Sequence, residues 1–117
     1  GGITPCRKLA AMGELFSVRT AWHGPSDTSP IGHAANLALD LNCSNFGIQE
    51  YAIFGERTQE VFPGCPEVRD GMMWPNGKLG LGIDINEELA AKFPYNEYEF
   101  GGAWDTVRRA DGSVVKP

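Results

Sequence analysis

Val18-Arg19-Thr20-Ala21-Trp22, Ser29-Pro30-Ile31-Gly32-His33-Ala34-Ala35-Asn36-Leu37-Ala38-Leu39-Asp40-Leu41 and Phe46-Gly47-Ile48-Gln49-Glu50-Tyr51 follow one another with only short breaks between them. Val18 to Trp22 is a β-prone run that ends at His23-Gly24-Pro25, where Gly and Pro stop it. Ser29 is placed to cap a helix, and Pro30 fits its first position, where a missing N–H costs nothing. Ile31, Ala34, Ala35, Ala38 and Leu41 give that helix an apolar stripe, and Asn42 to Asn45 ends it. Phe46 to Tyr51 is a second strand candidate, with Phe46, Ile48 and Glu50 on alternate positions. A helix of this length crosses over a sheet, so the two strands are expected to be parallel and the fold class α/β.

Upstream, Thr4 is expected to cap a first helix and Pro5 to start it. Cys6, Leu9, Met12, Gly13 and Phe16 share one face of that helix, and Gly13 reads as a point of close packing. Downstream the texture changes. Gly55 to Val61 suits a short helix, and residues 62–83 are rich in Gly and Pro with no clear period. Asn86 is expected to cap a helix through Glu87, Glu88, Leu89 and Lys92, which Pro94 stops. Asp111-Gly112 between two β-prone runs signals a hairpin.

The 117 residues include 15 Gly and 8 Pro, so short elements and many loops are expected. The formal net charge of −5 argues against nonspecific binding to nucleic acid or to an anionic membrane. No apolar run reaches the ~18 residues of a membrane helix, and nothing at the N-terminus resembles a signal peptide. Cys6, Cys43 and Cys65 match no zinc spacing, and reduced thiols in a cytoplasmic protein are expected.

Polar side chains converge at one place in this scheme. His23 and Asp27 lie just past the first strand and Glu50 near the end of the second, and the carboxyl ends of parallel strands form the ligand face of α/β folds. Neighbouring strands lie ~4.8 Å apart, so one pocket is within reach of all three. Together they offer proton donors and acceptors and hydrogen-bonding groups for a hydroxyl-rich substrate. Each also has a plainer reading. His23 suits a structural role, Asp27 suits a turn in Ser26-Asp27-Thr28-Ser29, and His33 suits pairing along its own helix with Asn36 or Leu37. Glu50 is the more informative residue, because a carboxylate ending an apolar strand is costly unless paired or exposed to a site. Trp22 reads as core, Trp74 as an interface residue, and Trp104, after Gly101-Gly102-Ala103, as an indole placed over a pocket.

Several longer motifs occur in order: Thr20-Ala21-Trp22-His23-Gly24-Pro25-Ser26-Asp27, Ser29-Pro30-Ile31-Gly32-His33-Ala34-Ala35-Asn36, Asn45-Phe46-Gly47-Ile48-Gln49-Glu50, Phe62-Pro63-Gly64-Cys65-Pro66, Gly80-Leu81-Gly82-Ile83-Asp84 and Trp104-Asp105-Thr106-Val107-Arg108-Arg109. With Gly1-Gly2-Ile3-Thr4-Pro5 and Arg7-Lys8-Leu9, they resemble the C-terminal part of the mannonate dehydratase group of the enolase superfamily, related to mandelate racemase and muconate lactonizing enzymes and to starvation-sensing proteins.

That resemblance implies an α+β capping domain and a TIM-like (β/α) barrel. Residues 1–54 would supply the last barrel strands and helices, and residues 55–117 a C-terminal segment that returns to the cap. The implied reaction is syn-dehydration of D-mannonate or D-gluconate to a 2-keto-3-deoxy acid. In it, Mg²⁺ holds the substrate carboxylate and stabilises the enediolate. By position, His23 and Glu50 would be catalytic, and His23, Asp27, Glu50 and Trp104 would bind substrate. The metal ligands are expected upstream, with none in this chain. The implied protein is a cytoplasmic homo-oligomer, and this segment alone is expected to be inactive. Two other readings stand beside it: a non-catalytic sugar-acid sensor, and a carbohydrate-binding module using Trp22, Trp74 and Trp104. Two parallel strands cannot bury both faces and edges alone, so the chain reads as a segment of a larger one.

Overall fold

The computed structural model describes residues 2–95 and Asp111; the hairpin expected at Asp111-Gly112 and the placement of Trp104 lie outside the described residues. The elements in order are α1 (Ile3–Leu15), α2 (Pro30–Asp40), α3 (Glu56–Val61), β1 (Glu67–Arg69), β2 (Met72–Trp74) and α4 (Glu87–Ala90).

The two runs flanking α2 lie side by side and parallel, as the crossover argument requires, but they meet at a single bridge, Thr20 with Phe46. Thr20 N–H donates to the Asn45 carbonyl at 2.9 Å, and Gly47 N–H donates to the Thr20 carbonyl at 3.0 Å. Beyond that point side chains continue the ladder. Gln49 Nε2 donates to the Trp22 carbonyl at 3.1 Å, and the Glu50 carboxylate accepts from Gly24 N–H at 3.0 Å. Regular strands were expected here. Among the described residues no third strand flanks the pair, and polar side chains take the groups that a longer ladder would have bonded.

α2 starts where expected, with Ser29 at its cap and Pro30 in its first turn. Its buried side differs from the expected stripe: Pro30, His33, Ala34, Leu37 and Leu39 are buried, whereas Leu41 is exposed. His33 is the reason. Its ring is fully enclosed and meets Tyr51 and Phe54 edge-on, at centroid distances of 5.2 and 5.0 Å. These aromatic contacts turn the helix so that His33, not Ile31 or Ala38, faces the core.

α1 begins two residues earlier than expected, with Gly2 at the cap and Thr4 and Pro5 inside the first turn. Ala10 is its buried residue, while Leu9, Met12 and Phe16 are more than half exposed. The side of α1 turned to the rest of the described chain is thus its small-residue side. Asn45 fixes it there, donating from Nδ2 to the carbonyls of Ala10 (2.9 Å) and Val18 (2.8 Å). Gly13 is not a point of close approach: an added Cβ would meet its nearest neighbours at an ordinary 3.5 Å.

β1 and β2 form an antiparallel hairpin inside the Gly- and Pro-rich stretch 62–83, which shows no clear period in the sequence. Asp70 and Gly71, both at positive φ (52° and 74°), make its turn. Arg69 pairs with Glu67 at 3.2 Å and lies 5.3 Å over the Trp74 ring. The loop after β2 is bracketed by Asn76, whose Nδ2 donates to the carbonyls of Gly64 (3.2 Å) and Gly82 (2.7 Å). Asn86 caps α4 as expected, its Oδ1 accepting from Leu89 N–H at 3.0 Å. Among the described residues no helix is long and apolar enough to cross a membrane.

Candidate active site

His23 and Glu50 come together at the ends of the two parallel runs. His23 Nε2 lies 3.5 Å from Glu50 Oε2, and the same oxygen accepts from Gly24 N–H at 3.0 Å. Glu50 is therefore aimed by a backbone amide as well as by an imidazole. The pair is open to water, with side chains 78% and 55% exposed. An exposed ion pair contributes only ~0–1 kcal/mol to stability, so stability does not explain its presence. What the geometry does offer is a carboxylate and an imidazole beside each other, able to accept and donate protons and to bind hydroxyl groups.

Gly24 is required by space. A Cβ at this position would overlap the Glu50 carbonyl oxygen and come within 2.9 Å of His33 Cε1. The backbone of residues 23–25 is also held from α2. Asn36 Nδ2 donates to the His23 carbonyl at 3.1 Å, and His33 Nε2 bonds the Pro25 carbonyl at 3.2 Å. Sequence reasoning missed these supports, although His33 and Asn36 stand one helical turn apart and so share a face.

Asp27 is exposed and sits within a turn closed by the bond from Thr28 N–H to the Pro25 carbonyl at 3.1 Å. No hydrogen bond or ion pair joins it to His23 or Glu50. Trp22 is half-buried, and its indole N–H has no partner among the described residues. Trp74 is half-exposed under Arg69.

Elsewhere, a cavity of about 680 Å³ is lined by Leu37, Asp40, Ile48, Tyr51, Val68 and Met72 among others, and by none of His23, Asp27 or Glu50. Burial raises the Asp40 carboxyl from 3.8 to about 6. It also raises the Tyr51 phenol and the Cys65 thiol, while burial and then the Asp40 charge raise Cys43. All three cysteines are free and half-buried.

Mg²⁺ wants near-octahedral oxygen coordination anchored by carboxylates. His23 and Glu50 supply one carboxylate, and among the described residues no group of three or more His, Cys, Asp or Glu side chains is placed to hold a metal ion. The residues described here do not fit the ion.

Residues 1–89 match the model of the enolase C-terminal domain-like family. Over 119 aligned residues the chain is 56% identical to the D-galactonate dehydratase family member RspA of Pantoea ananatis, covering all of this chain and 28% of that protein. It is 53% identical to the D-galactonate dehydratase family member SEN1436 of Salmonella enteritidis, covering all of this chain and 27% of that protein. Among solved structures, an enolase from Pantoea ananatis with bound D-gluconate and Mg superposes with a TM-score of 0.84 at 56% identity, over all of this chain and 28% of that one. The chain thus spans little more than a quarter of the relatives it matches. These relatives carry the D-galactonate dehydratase family name, which corrects the resemblance to the mannonate dehydratase group: the enolase superfamily stands and that subgroup does not.

Proposed function

The chain belongs to the enolase C-terminal domain-like family, with the fold of the TIM-barrel-associated C-terminal part of an enolase-superfamily protein, and we propose that it is the substrate-facing segment of a Mg²⁺-dependent sugar-acid dehydratase. In this reading residues 1–54 are the last barrel strands and helices, and residues 55–117 pack on the barrel and the capping domain. Six-carbon sugar acids such as D-gluconate are the substrates, in keeping with the ligand of the related structure. The sugar acid and the rest of the same protein, in a cytoplasmic homo-oligomer, are its partners.

The observation that carries the proposal is the shared oxygen, Glu50 Oε2, set by Gly24 N–H at 3.0 Å and faced by His23 Nε2 at 3.5 Å. Dehydration removes a proton from the carbon beside the carboxylate and a hydroxyl group from the next carbon. His23 and Glu50 bind the substrate hydroxyls, and a proton passed from this pair to the departing hydroxyl lets it leave as water. Asp27 and Trp104 are assigned to substrate binding. Mg²⁺ belongs to residues outside those described, and the part played by this chain is binding, orientation and proton handling.

The test is turnover of a panel of six-carbon sugar acids by the full-length protein with Mg²⁺, read as formation of the 2-keto-3-deoxy acid. Wild type is expected to turn over at least one of them. Glu50→Gln is expected to lose roughly 10²–10⁴-fold in kcat while keeping its fold. Binding without turnover by wild type would overturn the dehydratase reading in favour of a sensor, and wild-type turnover by the variant would remove Glu50 from the site.

A further inference from the structure

The two histidines of the chain have opposite surroundings. His23 is exposed beside Glu50, whereas His33 is fully buried in α2. His33 lies outside the proposed chemistry, yet its ring touches both segments that build the site. On one side its Nε2 bonds the Pro25 carbonyl at 3.2 Å, and its Cε1 closes the space over Gly24. On the other it meets the rings of Tyr51 and Phe54, just past Glu50. A carbonyl oxygen only accepts, so the proton of this imidazole sits on Nε2. One turn further along α2, Asn36 Nδ2 donates to the His23 carbonyl at 3.1 Å.

From this we infer that His33 and Asn36 form a positioning clamp. Two side chains on one helix face bond the carbonyls of Pro25 and His23, and so hold the His23-Gly24-Pro25 backbone at the angle that brings Gly24 N–H and the His23 imidazole to one oxygen of Glu50. The inference rests on the dehydratase reading for its kinetic consequences but not for its geometry. Pro25 has no N–H, and its carbonyl already accepts from Thr28 at 3.1 Å, so without the clamp the Gly24 N–H bond to Glu50 is, among the described residues, the one backbone hydrogen bond left to His23-Gly24-Pro25 ahead of that turn, with Gln49 Nε2 holding the Trp22 carbonyl before it. A shift of about 1 Å in a positioned group costs as much as 10²-fold in rate.

The test uses the full-length protein and four variants. Asn36→Leu removes one donor at a half-buried position and is expected to lower kcat roughly 10- to 100-fold with little change in KM or Tm. His33→Phe keeps an aromatic ring but loses the donor, and is expected to lower kcat by a similar factor. His33→Gln restores an N–H near the Nε2 position while losing the ring. It is expected to be less stable than His33→Phe and yet more active, an order that a purely structural role would reverse. The double variant His33→Phe with Asn36→Leu should be little worse than the poorer single, because both act on one strip of backbone. Wild-type kinetics in Asn36→Leu, or activities that simply track Tm, would overturn the clamp.

Crystal structures of wild type and Asn36→Leu give a readout that needs no turnover. The clamp requires the separation of Gly24 N from Glu50 Oε2 to grow beyond hydrogen-bonding distance in the variant, and an unchanged bond refutes it. If wild type turns over no sugar acid, the dehydratase reading fails and these structures still decide the clamp.

Discussion

The turns on either side of Gly55 are held by different means. Around α2 they dock on a packed helix: Pro30 and His33 are enclosed, Leu37 and Leu39 are buried, and the loop carrying His23 is tied to that helix by His33 and Asn36. Beyond Gly55 the buried side chains among the described residues are Val61 and Pro66, β1 is wholly exposed, and scattered hydrogen bonds do the holding, such as those from Asp84 N–H to the Pro63 carbonyl and from Asn86 N–H to the Val61 carbonyl. Asn76 brackets one loop and Asn86 caps α4. In the first region a substitution is transmitted, because close-packed neighbours have nowhere to go. In the second it remains local, because each bond stands nearly alone.

Gly24→Ala is the severest way to probe that contrast. The added methyl would force the Glu50 carbonyl and the His33 ring apart. Overpacking of this kind costs about 1–3 kcal/mol, and the shift it forces would draw the residue 24 N–H away from the Glu50 carboxylate. Thermal denaturation and kcat of the full-length protein should fall together, and a variant with wild-type values for both would break the contrast. Asn76→Ala removes three hydrogen bonds at an exposed loop, two donated by Nδ2 and one accepted by Oδ1 from Lys78 N–H, and is expected to cost about 1 kcal/mol. Hydrogen exchange should quicken around Gly64 and Gly82 while amides around His33 keep their protection. Quickening that spreads to α2 would show the two regions to be one cooperative unit.

Asp40 sharpens the contrast through pH. Burial raises its carboxyl from 3.8 to about 6, so in that window the folded chain holds a proton that the unfolded chain releases. Stability contributed by this group is therefore present below the lower value and is lost as pH rises through the upper one. Asp40→Asn should stabilise at pH 8 by about 1 kcal/mol, after allowance for solvent screening of a half-buried group. The gain should vanish under acid conditions, and a gain independent of pH would assign it to some other cause. The smallest effect is expected in α1. Gly13→Ala places a methyl at ordinary contact distance inside a helix and should stabilise by about 0.5–1 kcal/mol, measured by Tm.

The features legible in the sequence were those with strong local chemistry: the Ser29-Pro30 start of α2, the Asn86 cap, and the parallel run of the two extended segments. The face of α2 was not legible, because His33 counts as polar in any periodicity argument until Tyr51 and Phe54 supply an aromatic surround. The hairpin at Asp70-Gly71 was missed because its strands are three residues each, too short to show alternation, although the Asp-Gly turn signal was present. Of the candidate site, the meeting of His23 and Glu50 followed from strand ends, whereas the helix-borne bonds to His23 and Pro25 run to carbonyl groups, which every residue carries alike. The subgroup was misjudged for a related reason. Gly24, Pro30 and His33 in the quoted motifs serve packing and turns here, and such residues mark a fold before they mark a substrate.

Because α2 supplies both the enclosed core residues and the two bonds to the His23 loop, heating should reveal no regime in which the helix is intact and the loop slack. The protection of α2 amides and the closeness of His23 to Glu50 would then fade along one melting curve. Thermal loss of the His23–Glu50 geometry would be a property of eleven residues, Pro30 to Asp40, and would be delayed most by substitutions that lengthen the lifetime of that one helix.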